Sequence, residues 1–215
     1  MRGSYDLSEG VIEEIRGDLD RDQLGVFLAS TLAYDEDVRE QISEWLGTIT
    51  EVAIDSRTIP GRRTLVRSRK AGTRYSYPIA NEGFGSNQLT HMLFQLAKTP
   101  RGGLDMIEEP ELHLHPYAIA RLADLLTEEA VKSDKQLLMT THSEHLLLGL
   151  LNNVAEGKLP HTDLVVLSTN LTEAGARVER VNINEEGLAE GGLPGFFDAT
   201  IEAQRRHLDA LMRRG

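Results

Sequence analysis

Apolar residues follow different periods in different parts of this chain, and the changes of period divide it. Between Asp35 and Ile49 they recur at Val38, Ile42, Trp45, Leu46 and Ile49, at steps of four, three, one and three. That spacing makes one stripe along a helix, the pattern of a core-packing element. Asp35 and Asp37 stand at its N-terminal end, where acids suit the helix dipole. Ser8 is placed to cap an earlier helix starting in Glu9–Ile15. Residues 1–48 therefore read as a helical, acidic segment.

The pattern shortens over 49–80. Ile49–Ile54, Arg62–Arg69 and Thr73–Ile79 are β-prone runs separated by Pro60-Gly61 and Ala71-Gly72. Short runs with such punctuation predict an antiparallel meander. Seven of the chain's 23 basic residues fall here: Arg57, Arg62, Arg63, Arg67, Arg69, Lys70 and Arg74. A solvated sheet face and a surface for nucleic acid or nucleotide phosphates both accommodate this charge.

From Gly83 strands and helices alternate. Gln88–Lys98 reads as a helix and Gly103–Glu108 as a short buried strand. Pro116–Glu129 carries a helical stripe of Ala118, Ile119, Leu122, Leu125 and Leu126. Gln136–Thr140 is a second buried strand, Glu144–Asn152 a Leu-rich helix and Leu164–Ser168 a third buried strand. Val178–Ile183 reads as a later strand and Thr200–Arg213 as a closing helix. The alternation predicts an α/β fold, a mostly parallel sheet flanked by helices, joined to the N-terminal helical segment and the small meander. The expected organisation is a helical segment over 1–48, a meander over 49–80, a core lobe over 81–170 and a C-terminal extension over 171–215.

Composition narrows the chemistry. The chain has 215 residues, enough to bury a sizeable core. It contains no cysteine, which removes disulfides, Cys-ligated zinc and a thiol nucleophile. The longest near-continuous apolar run is Leu146–Leu151, far short of the roughly 20 residues of a membrane span. The N-terminal residues Met1–Asp6 have no apolar signal-like region, so a cytoplasmic location without a membrane partner is the expectation. A net charge of −11 argues against a wholly basic nucleic-acid binder but leaves room for a local basic patch.

The most informative stretch runs from Leu104 to Pro116, LDMIEEPELHLHP. A strand here delivers Glu108 and Glu109 to its C-terminal end, where ligands of open α/β sheets sit. Burying both acids with no compensating partner would cost several kcal/mol. Mg²⁺ with nucleotide phosphates offers that compensation. A second strand, Gln136–Thr140, runs into Thr141-His142-Ser143-Glu144-His145, which puts His142 just past a strand end. Before the helix at Gln88 lies Asn81-Glu82-Gly83-Phe84-Gly85-Ser86-Asn87, a turn that leaves backbone N–H groups free for an anion. A simple turn with an N-cap explains that string equally well. His113 and His115, two apart, would share a face on a strand and with Glu108 or Glu111 form an alternative metal set. His145 and His161 read as surface or packing residues.

In this order, the glycine-rich turn, the Ile107–Pro116 string and the Thr141–His145 segment resemble the C-terminal half of an ABC-type, AAA-class P-loop ATPase head. The similarity is to the branch related to OLD (overcoming lysogenization defect), RecF and SMC proteins. It covers roughly residues 75–200, and Leu193–Asp198 resembles the C-terminal extension of one subgroup. The resemblance implies that Glu108 is the Walker B acid holding Mg²⁺ and Glu109 the catalytic glutamate that polarises the attacking water. It implies that His142 is the switch histidine at the γ-phosphate. Gly83 opens the turn in which Gly85, Ser86, Asn87 and Gln88 match the signature motif, which caps a nucleotide bound to a partner subunit. This signature departs from Leu-Ser-Gly-Gly-Gln. Glu111 through His115 match the D-loop, with His115 in place of the usual Asp.

Such heads also need a Walker A loop, Gly-x-x-x-x-Gly-Lys-[Ser/Thr], and no such string occurs in the chain. The expectation is an ATP- and Mg²⁺-dependent head completed by a Walker A lobe, forming a head-to-tail dimer, with little ATP turnover by the isolated chain. Two other readings stand beside it. One is a non-catalytic regulatory or interaction lobe that holds a partner through the basic meander or the acidic helices. The other is a metal-dependent nuclease built on Asp105, Glu108 and Glu109. Against the nuclease, no Asp-x-Asp strand follows His142, because Leu164–Ser168 continues into Thr169-Asn170.

Overall fold

Helix α1 spans Glu36–Thr50, and its ends explain its bounds. The Asp35 carboxylate caps it by accepting the Val38 N–H at 3.1 Å. At the other end Glu51 turns left-handed at φ 64° and returns its N–H to the Gly47 carbonyl. The predicted stripe is the buried one, through Ile42, Leu46 and Ile49. The computed structural model describes residues 28, 31–58, 64–173, 175–192 and 198–212. The helix expected at Glu9–Ile15, the turn Pro60-Gly61, Arg62, Arg63 and the tail 193–197 lie outside the described residues. The chain divides into two compact units, 1–141 and 142–215.

In the first unit the meander comprises β1 (Val52–Thr58), β2 (Thr64–Lys70) and β3 (Ser76–Pro78), antiparallel in that order. Val52 pairs with Lys70, and Ser68 with Tyr77. The first predicted strand begins later than its β-prone residues suggest. Ile49 completes the buried face of α1, so the tertiary contact overrides the local preference of Ile49 and Thr50. Arg67 is structural, donating to the Ser76 hydroxyl at 2.9 Å, whereas Arg69, Lys70 and Arg74 are exposed.

Helix α2 spans Phe84–Lys98, four residues earlier than the predicted start at Gln88. It buries Leu89, Leu93, Phe94 and Leu96, and it packs against α1. Then β4 (Leu104–Glu108), α3 (Pro116–Lys132) and β5 (Gln136–Thr140) form the expected parallel β-α-β unit. The register pairs Leu104 with Gln136 and Glu108 with Thr140. Helix α3 also packs on α1, with Leu122 and Ala123 fully buried.

These strands are not buried on both sides. Asp105 and Ile107 turn toward the covered face, but Leu104, Met106 and Leu138 are 55%, 65% and 52% exposed. The second unit departs further from expectation. After α4 (Glu144–Ala155), β6 (Val166–Thr172) pairs antiparallel with β7 (Gly175–Val181) as a hairpin. The expected third buried strand is thus mostly exposed, with Leu167 and Leu171 at the surface. The cause is local: Gly175, at φ 117°, turns the chain back on itself. Leu147, Leu151, Val154, Leu159 and Ile183 form this unit's core. Helix α5 (Asp198–Met212) exposes Leu208, Leu211 and Met212.

His91, on α2, is held below its ordinary pKa by burial. As pH falls below about 6.5, the unfolded chain takes up a proton that folded His91 resists. Stability therefore falls with pH in that window and levels off below the folded-state pKa. Urea titrations between about pH 7 and 5 should show a shallower decline in His91→Leu than in the parent chain.

Candidate functional site

Two strand ends and one helix start supply the candidate residues. Glu108 is the last residue of β4 and is exposed. Glu109 follows with its N–H donated to the Thr140 carbonyl at 2.9 Å, so the strand pairing extends one residue past the strand. Its φ is 47°, a left-handed conformation that costs a residue with a Cβ about 1–3 kcal/mol. Pro110 and Glu111 are buried. The Thr141 hydroxyl donates to Glu111 Oε1 at 2.5 Å.

His113 and His115 do not lie on a strand. His113 is left-handed at φ 64° within a turn, so the same-face argument for a histidine metal pair fails. His115 is instead the N-cap of α3, its Nδ1 accepting the Tyr117 N–H at 3.3 Å. A ring nitrogen that accepts is unprotonated, so the side chain does a capping job usually given to Asp or Ser. Among the described residues no group of three or more His, Asp or Glu side chains is arranged to hold a metal. An ion such as Mg²⁺, which keeps water and phosphate ligands, fits one exposed carboxylate at a strand end, and Glu108 is such a carboxylate.

The glycine turn is less of a turn than its sequence suggests. Gly83 is the N-cap of α2 at φ 102°, so Gly85, Ser86 and Asn87 lie in the helix's first turn and Gln88 just beyond it. The early backbone N–H groups of a helix lack intrahelical partners. The N-cap residue, Gly83, has no side chain to cap them. Gly85 is required for a second reason. A Cβ there would stand 2.7 Å from the His113 carbonyl oxygen, so helix α2 and the His113 turn touch backbone to backbone. The Phe84 and His113 rings also meet, centroids 5.7 Å apart. Gly85→Ala is expected to destabilise by about 1–3 kcal/mol in urea unfolding. Gly47→Ala, whose Cβ would meet only an ordinary 3.8 Å contact, should gain about 0.5–1 kcal/mol.

A cleft of about 460 Å³ runs along this contact, between Gly83–Ser86, His113–His115, the start of α3 and the end of α1. Arg121 is fixed on its wall, 4.3 Å above the Tyr117 ring and donating to the Thr48 carbonyl at 2.6 Å. Glu82 ties the glycine turn to the meander by accepting from the buried Ser68 hydroxyl at 2.7 Å. The same carboxylate raises the Tyr77 pKa, through a hydrogen bond first, with desolvation and charge adding to it.

Of the predicted residues, Glu108 and Glu109 lie together at the paired strand ends. The glycine turn meets the His113–His115 segment. His142 is exposed, two residues past β5, and belongs to the second unit. The buried Glu111 and its bond to Thr141 had no distinct sequence signal beyond a third acid in the Glu-Glu-Pro-Glu string.

This arrangement of α/β unit and meander is a fold shared with solved SMC ATPase heads. The model of the AAA ATPase domain family matches residues 26–147, more than half of the sequence, and the chain belongs to that family. Solved structures share the fold at low identity. One, from work on ATP-driven dimerization and DNA-stimulated activation of SMC ATPases, matches with a TM-score of 0.52 at 14% identity, over 74% of this chain and 89% of that one. The Pyrococcus furiosus Smc head with an extended coiled coil, bound to the C-terminal domain of ScpA, matches at 0.51 and 16% over 81% of this chain. The Pyrococcus yayanosii Smc head with a coiled coil and joint matches at 0.51 and 18% over 83%. The chain spans 40% and 32% of those two chains. No curated protein matches its sequence. Among the described residues no helix is long and apolar enough to cross a membrane.

Proposed function

We propose that this chain is the part of an ATP-hydrolysing head that supplies the Walker B acid, catalytic glutamate, switch histidine and signature turn, and that works with a phosphate-binding loop from outside these 215 residues. The observation that carries this reading is the open face of the parallel sheet. Parallel strands are ordinarily covered on both faces. Here Leu104, Met106 and Leu138 stand exposed in the rows that end at Glu108 and Thr140. An element that covered this face would lie beside the carboxylate at its C-terminal end. The absence of a Gly-x-x-x-x-Gly-Lys string from the sequence makes a phosphate-binding lobe the fitting cover.

In this reading each residue has a defined task. Bound MgATP would supply the phosphoryl group and most of the charge that hydrolysis must neutralise. Glu108 holds the hydrated cation. Glu109 orients the attacking water and accepts its proton. His142 donates to the γ-phosphate. The early N–H groups of α2, at Gly85 and Ser86, face the nucleotide of a second head in a head-to-tail dimer. The helical segment, the core lobe and the extension from 171 are then parts of one cytoplasmic ATPase. The exposed Arg69, Lys70 and Arg74 are compatible with a nucleic-acid effector.

The test is a comparison of turnover. The isolated chain should hydrolyse ATP no faster than its Glu109→Gln variant, and adding a lobe that bears the Walker A sequence should restore a Glu109-dependent rate. Robust turnover by the chain alone, lost in Glu109→Gln, would overturn the divided head. No turnover in any combination would favour the non-catalytic lobe.

A further inference from the structure

We propose that Glu111 is a positioning residue, holding Thr141 through its buried carboxyl group and, through Thr141, the backbone that leads into His142. The inference rests on the reading of His142 as a working group of the site. Glu111 is 7% exposed and takes the Thr141 hydroxyl at 2.5 Å on Oε1. Its other oxygen, Oε2, has no hydrogen-bond partner among the described residues. Glu129, by contrast, is a buried acid paired with Lys135 at 2.7 Å. A side chain retained for stability alone is expected to resemble Glu129. One left half-satisfied in the interior lowers stability, and a positional task explains its presence better.

The location suits that task. The β4–β5 ladder reaches Glu108 and Thr140, and the Glu109 N–H adds a bond to the Thr140 carbonyl. The Glu111 to Thr141 bond carries the tie one residue beyond, to the position before His142. At its other end Glu111 belongs to the turn that meets the glycine segment. Its carbonyl accepts the Leu114 N–H at 3.0 Å, and the neighbouring His113 carbonyl abuts Gly85. A shift at the glycine turn thus has a continuous packed route to Thr141.

The test uses the 215-residue chain without nucleotide, and its readout is backbone ¹⁵N relaxation. In the parent chain the order parameter at Thr141 and His142 should be near 0.85, and in Thr141→Val and Glu111→Met it should fall below about 0.6. Thr141→Ser, which keeps the hydroxyl, should restore the parent value. Glu111→Met should melt no lower than the parent chain, because an apolar group of similar size replaces a half-satisfied polar one. Rigid backbone at position 141 and His142 in Thr141→Val would overturn the proposal. So would loosening spread evenly over β4 and β5, or failure of Glu111→Met to fold, since either makes Glu111 a plain structural fastener. Failure of the ATPase reading would appear in the turnover comparison and leave these relaxation values unchanged.

Discussion

In the completed head, Glu109→Gln is expected to slow ATP hydrolysis by about 10²–10⁴-fold, the usual worth of a positioned general base. Nucleotide binding should change far less. Glutamine keeps the shape and hydrogen-bonding reach of the side chain but cannot accept the proton of the attacking water. The backbone supports this choice of residue. Glu109 sits left-handed at φ 47°, and its N–H is fixed on the Thr140 carbonyl. A conformation that costs about 1–3 kcal/mol persists only where the surrounding structure imposes it, and such strain clusters at functional sites. Glu109→Gly provides the matching control. Glycine adopts this φ without penalty, so the variant should lose turnover while melting at or near the parent temperature. Single-turnover assays and thermal melts on the two variants separate the chemical role from the structural one. A Glu109→Gln head that turned over at the parent rate would remove Glu109 from the mechanism.

Lys135→Ala is expected to cost the fold about 3–5 kcal/mol, the range for breaking a buried ion pair from one side. Lys135 and Glu129 have side chains only 6% and 10% exposed and meet at 2.7 Å. The ammonium also donates to the Leu96 carbonyl at 2.7 Å and lies 6.0 Å from the centre of the Trp45 ring. One side chain therefore joins α1, α2, α3 and the start of β5. Removing it leaves the Glu129 carboxylate buried without its cation and the end of α2 with a bare carbonyl. The double variant Lys135→Met with Glu129→Leu should recover most of the loss, because apolar groups of similar volume often replace a buried pair at little cost. Urea unfolding checks both. A loss below about 1 kcal/mol for Lys135→Ala would mean that the pair behaves as a surface salt bridge.

The elements legible in the sequence are those whose signal is periodic and local. The α1 stripe, the stripe of α3 and the β4-α3-β5 alternation all appear as predicted, because burial on one helix face or an apolar strand writes itself into residue spacing. The first strand start and the α2 start differ from expectation by three and four residues for one shared reason. Ile49 and Gly85 serve a packing partner distant in sequence: the core beneath α1 for Ile49, and the His113 carbonyl for Gly85. The expected third parallel strand became a hairpin because Val166–Thr172 finds its partner across Gly175. An apolar run specifies that a strand forms, and pairing decides which sheet it joins.

The chemistry divides in the same way. The order of motifs in the sequence determined the family expectation, the strand-end acids and the absence of a Gly-x-x-x-x-Gly-Lys string, since each depends only on residue type and spacing. Only the tertiary structure decided that Glu111 is buried while Glu108 is exposed, that His115 caps a helix, and that Gly85 touches His113. The sheet's open face beside Glu108 was likewise invisible in the sequence. Burial and pairing arise from contacts between residues far apart in the chain, and a string of residues carries no distances.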